Sequence, residues 1–101
     1  MNIQKMLKEA QRMQQRMAEA QEELAQKTVE ASAGGGKIKV VATGAGDIVS
    51  IKIDPQVVDP QDVEMLEDLV LAGVKQALEE ARALAGDEMG KVTGGLKIPG
   101  L

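Results

Sequence analysis

The sequence predicts an α+β fold: a long N-terminal helix, a three-stranded antiparallel meander and a long C-terminal helix, in that order. Three observations lead there. Residues 2–26 hold no Gly or Pro, and their apolar positions recur by alternate steps of three and four, the spacing of a helical face. Residues 28–53 change to a period of two and are broken by Gly-rich stretches, as short strands joined by turns read. From Asp59 the helical spacing returns and persists for some 25 residues.

The first helix carries two patterns. Ile3, Met6, Ala10, Met13, Met17, Ala20 and Leu24 form an unbroken a/d heptad, a seam that asks for a partner helix. Its methionines also suit an adaptable peptide groove, but a spacing that holds throughout favours the helix–helix seam. Lys5, Lys8, Arg12 and Arg16 form a second stripe. At about 100° per residue it lies well round the cylinder from the first.

In the first strand Val29, Ala31 and Ala33 alternate with Thr28, Glu30 and Ser32, and Gly34-Gly35-Gly36 ends it. Lys37 to Thr43 reads as a second strand, with Ile38, Val40 and Ala42 on one face and Lys37, Lys39, Val41 and Thr43 on the other. Gly44 to Asp47 is a tight connection. Ile48 to Ile53 is the third strand, with Val49, Ile51 and Ile53 facing one way. One sheet face is strongly apolar, so the helices should cover it.

Asp59 is placed to cap the second helix, with Pro60 at its first position and acids in its opening turns. Val63, Leu66, Leu69, Val70, Val74, Ala77, Leu78, Ala81 and Leu84 point to the core. Gly73 costs about 1 kcal/mol relative to Ala within a helix, so it marks a close approach to another backbone. The helix should fade between Ala85 and Gly90, leaving residues from about 91 to 101 as a flexible tail. Residues 1–101 form one domain.

Composition narrows the function. With no Phe, Tyr or Trp, a domain of this size has little core of its own, and a homodimer is expected. The absence of Cys and His removes disulfides, thiolate chemistry, Cys/His zinc sites and the usual proton-transfer residue. Ser32 and Ser50 have no histidine to activate them. Asp54, Asp59 and Asp62 lack the spacing of a calcium loop, and neither Gly run fits a P-loop or a dinucleotide fingerprint. No enzyme, metal or cofactor is expected. The N-terminus is amphipathic and no segment is apolar enough to span a bilayer, so a cytoplasmic protein without a membrane role is expected.

The net charge of −4 is unevenly spread. Residues 1–16 carry +3 and residues 91–101 carry +2, through Lys91 and Lys97, while residues 54–90 carry −8. Local potential steers a ligand within a Debye length of about 8–10 Å, so segregation matters more than the sum. A basic stripe on a helix is often only a solvated face. Doubled in a dimer, however, Lys5, Lys8, Arg12 and Arg16 would meet the phosphates of a duplex with a steep salt dependence. Gln4, Gln11 and Gln15 flank the stripe but suit any helix surface, so little sequence specificity is expected. Without aromatics for base stacking, duplex is favoured over single strands. The competing reading is a protein-interaction module for recombination or replication machinery.

The chain resembles the YbaB/EbfC family of bacterial nucleoid-associated proteins over almost its full length. The resemblance rests on the order and spacing of several short stretches: Met6 to Gln11, the Gly run before the second strand, Ile53-Asp54-Pro55, Met65 to Val70, Gly94-Gly95, and Ile98 to Leu101. It implies an α–β–β–β–α protomer, a tweezer-like homodimer and duplex DNA binding in the nucleoid. It also implies DNA contacts from the first and last helices. That supports Lys5, Lys8, Arg12 and Arg16 directly, and Lys91 and Lys97 at the other end, although the expected helix stops short of both. Lys75 and Arg82 sit among acids.

Overall fold

A computed structural model describes residues 2–93. Helix α1 spans Ile3–Gln26, followed by strands β1 (Thr28–Ala33), β2 (Ile38–Thr43) and β3 (Ile48–Ile53), a 3-10 turn (Pro55–Val57) and helix α2 (Val63–Thr93). The strands pair antiparallel in the order β1-β2-β3, so the predicted α–β–β–β–α order is the observed one.

Local chemistry explains most boundaries. The side-chain oxygen of Asn2 accepts the N–H of Lys5 at 3.2 Å, satisfying one of the donors that a helix start leaves unpaired. Gly34, Gly35 and Gly36 have φ of 61°, 67° and 89°, a region closed to most residues by their Cβ. Lys37 therefore belongs to this turn, and β2 begins one residue later than expected.

Three further expectations are corrected. The register of β2 against β3 shifts between Val41 and Ala42, so that Ile48 stands opposite Ala42 and Ile51 opposite Val40. The extra residue is Val49, and Ile48 joins Ile51 and Ile53 on the core-side face in its place, as a β-bulge dictates. Helix α2 starts later than expected. The Asp59 carboxylate accepts the N–H of Gln61 at 2.9 Å in a turn around Pro60, and it is Asp62 that accepts the N–H of Met65 at 3.2 Å. Val63, at the head of the helix, is 51% exposed rather than core-facing. Finally, α2 runs through Gly86 and Gly90 to Thr93, so residues 91–93 are helical and residues 94–101, including Lys97, lie outside the described part. Packing of this end against α1 outweighs the propensity penalty of two glycines.

The core lies between α2 and the first two strands. Ala31, Ile38, Val40, Ala42, Ala77 and Ala81 are buried there. Gly73, Ala77 and Ala81 follow at intervals of four, so one flat strip of α2 rests on the sheet. A Cβ at Gly73 would stand 3.0 Å from Val40 Cγ2 and 3.3 Å from Ile38 Cγ2, so the close approach is to side chains of the sheet rather than to another backbone as expected. Helix α2 does not extend over β3. Ile51 and Ile53 consequently remain 41% and 40% exposed. The chain is elongated, 71 × 27 × 16 Å, with a radius of gyration of 19.6 Å, against about 13 Å for a compact chain of this length.

Candidate nucleic-acid interface

Helix α1 is held at one end only. Ala20 and Leu24 are its buried residues, its last turns pack against α2, and the N–H of Gly44 donates to the carbonyl of Lys27 at 3.0 Å. Lys27 also reaches Glu88 on α2, Nζ to Oε1 at 2.6 Å. That hydrogen bond is the main reason the Lys27 ammonium is held above its ordinary value and the Glu88 carboxyl below its own. Both groups meet water, so the pair serves as a positional tie more than as a source of stability.

Towards its N-terminus α1 has little cover. Of the expected seam, Ala20 and Leu24 are spent inside the chain's own fold and Met13 is half-buried, while Ile3, Met6 and Met17 are 68%, 54% and 39% exposed. Lys5, Lys8, Arg12 and Arg16 are all exposed. Among the described residues no ion pair engages any of these four side chains. At 1.5 Å per residue the stripe from Lys5 to Arg16 is about 16 Å long.

The two helices run antiparallel where they meet, so the end of α2 arrives beside the inner end of the stripe. Arg16, Glu19, Ala20 and Glu23 of α1 and Glu88, Lys91 and Val92 of α2 line one shallow concavity. Lys91 thereby joins Arg16, a juxtaposition hidden by the 74 residues between them. Its Nζ lies 4.0 Å from Glu88 Oε1, and the side chain is 76% exposed.

Two surfaces emerge only from the tertiary structure. The first is an apolar groove between α2 and the uncovered β3, lined by Ile53, Leu66, Val70, Leu71 and Val74, with Glu67 at its edge. Alternation marks Ile53 as core-facing, but only the position of α2 shows that the core stops short of it. The second is the open face of the sheet, where Lys39 of β2 stands directly opposite Lys52 of β3. Neither lysine is conspicuous until the register is known.

The model of the YbaB/EbfC DNA-binding family matches residues 1–96. The chain is similar to a nucleoid-associated protein of Thermoanaerobacter pseudethanolicus, 60% identical over 100 residues that cover 99% of this chain and 90% of the relative. It is 56% identical over 100 residues to a nucleoid-associated protein of Pelotomaculum thermopropionicum, covering 99% and 95% of the two chains. Among solved structures, the uncharacterized protein HP0035 from Helicobacter pylori superposes with a TM-score of 0.81 over 93% of this chain and 99% of its own, at 16% identity. That likeness speaks for the fold alone.

Proposed function

The chain belongs to the YbaB/EbfC DNA-binding family, and on that footing we propose that it binds duplex DNA in the bacterial nucleoid as a homodimer with little sequence specificity. The observation that carries this reading is the exposed, unneutralised row Lys5, Lys8, Arg12 and Arg16 on the outlying part of α1. Lys91 extends it at the inner end, and Lys97 is assigned to the same role. Contacts of this kind go to phosphates, which position a protein on DNA without reading bases. Two arms related by symmetry would coat or bend the duplex they grip, with gene expression affected as a consequence. The role is architectural rather than catalytic.

The dimer rests on surface. The protomer exposes 7563 Å², against about 5,500 Å² for a monomer of its mass. The apolar groove of Ile53, Leu66, Val70, Leu71 and Val74 is where a second copy would bury most, and an isologous pairing there closes on itself. The exposed part of the α1 seam, Ile3 to Met17, offers a second apolar strip.

Duplex binding over a series of salt concentrations tests the reading. The unmodified protein should bind with a steep negative dependence on salt, about 0.9 in log–log slope per phosphate neutralised. Changing Lys5, Lys8, Arg12 and Arg16 to Glu should abolish binding while the dimer persists. An unaltered slope in that variant would remove the stripe from the interface. No duplex binding at all, even at low salt, would leave the groove as a docking site for another protein.

A further inference from the structure

We infer that the open face of the sheet is a second DNA-backbone contact, centred on the cross-strand pair Lys39 and Lys52 and separate from the α1 stripe. This rests on the duplex-binding reading and specifies where else the duplex touches.

The pair is a product of register. Lys39 and Lys52 are direct partners across β2 and β3, on the face turned away from α2, and both are exposed. Like charges placed directly opposite each other oppose strand pairing, so the arrangement works against the fold and suits an anion that sits over both. Lys37 adjoins them in a shallow concavity whose other lining residues include Asp54 and Pro55. The acid there is already matched: Lys37 Nζ lies 3.4 Å from Asp54 Oδ2 and also donates to Gln56. Among the described residues no ion pair engages Lys39 or Lys52. Glu30 is the acid on this face of the strands, and it stands opposite Val41 rather than opposite a lysine.

The layering gives the charge a direction. Helix α2, on the other side of the sheet, carries Glu64, Glu67, Asp68, Glu79, Glu80, Asp87 and Glu88 against Lys75, Arg82 and Lys91. A polyanion approaching the sheet domain is repelled from the helix layer and attracted to the lysine face. The apolar groove beside β3 opens on the helix side, so a second copy seated there leaves the lysine face uncovered. The occupant is the sugar–phosphate backbone of a duplex: no aromatic residue is present to stack an unpaired base, and two lysines a strand apart recognise charge rather than sequence.

The test uses the full chain and a labelled duplex titrated from about 50 to 300 mM salt. The variant Lys39→Gln/Lys52→Gln is compared with Lys75→Gln/Arg82→Gln, which makes the same change in net charge on the acidic layer. For each phosphate the sheet variant no longer neutralises, it should bind about tenfold more weakly at about 50 mM salt, with a slope shallower by about 0.9. The control should stay within about twofold of the parent. The melting temperature of the sheet variant should equal or exceed the parent's, since a repulsion has been removed, so weaker binding cannot be put down to unfolding. If the sheet variant binds like the control while the α1 quadruple variant fails to bind, the sheet contact is overturned and the stripe stands. If the parent fails to bind duplex at any salt, both fall together.

Discussion

Replacing Gly73 with Ala sets two known effects against each other at one atom. Within a helix the exchange should stabilise by about 1 kcal/mol, because Gly spends more backbone entropy on folding. Here the added methyl would lie 3.0 Å from Val40 Cγ2, 3.3 Å from Ile38 Cγ2 and 3.9 Å from Ala33 Cβ. Val40 and Ile38 are both 0% exposed and β-branched, so neither can swing aside cheaply. Forcing a carbon into such a site costs about 1–3 kcal/mol. The clash should win by about 1 kcal/mol, a fall in Tm of about 4–8 °C for a domain of this size. Gly73→Val adds two more carbons at the same point and forfeits most of the propensity gain, so it should fall further. Thermal unfolding followed by circular dichroism measures both, at equal protein concentration because the Tm of any assembly depends on it. A rise in Tm for Gly73→Ala would refute the reasoning, since it would mean that α2 stands off the sheet rather than resting on it through its strip of small residues.

Other perturbations follow from the same geometry. Asp62→Ala should cost about 1 kcal/mol through removal of the helix cap, and Asp59→Ala less; equal effects in chemical denaturation would contradict the assignment of the cap to Asp62. Leu71→Glu, at a site 52% exposed in the protomer, should leave folding intact and yield monomers in sedimentation, whereas Met6→Glu should still dimerise. A Leu71→Glu protein that sediments as the parent does would remove the groove from the interface. The Lys27–Glu88 tie predicts a pH dependence. The Glu88 carboxyl is lowered chiefly by the hydrogen bond from Lys27, so its contribution is present above the usual glutamate range and is lost as pH falls through the lowered value. Lys27, raised by the same bond, contributes below the usual lysine value and loses that only at higher pH. The Tm difference between the parent and Lys27→Met should therefore be present at neutral pH and vanish once the pH has fallen below the lowered Glu88 value; a constant difference would argue that Lys27 acts through packing alone.

Local signals carry much of the fold. Period three-to-four, then two, then three-to-four again locates both α-helices and all three strands, because side-chain direction repeats with backbone geometry and needs no distant contact. Gly73 is legible as a close approach for a related reason: a residue unfavourable in a helix needs a compensating cause. Element ends are less legible. Asp59 and Asp62 are both competent caps, and the choice falls to the turn that Pro60 imposes. The end of α2 reads too early from its glycines, which argue for a stop, while the surface of α1 that supports them lies about 70 residues away in the chain. Val49 reads onto the wrong face because a bulge cannot be seen in alternation alone.

For function the division is similar. The sequence by itself determined the helix–meander–helix order, the charge-bearing stripe of α1 and the resemblance to a DNA-binding family, since each depends on residues near one another in the chain or on their order. Tertiary structure alone decided that Lys91 meets Arg16, that Lys39 faces Lys52, and that α2 covers two strands and leaves the third with its isoleucines in water. The physical reason is that these are facts of register and packing, settled by which surfaces exclude water together, and a chain of letters does not state the distance between residues far apart along it.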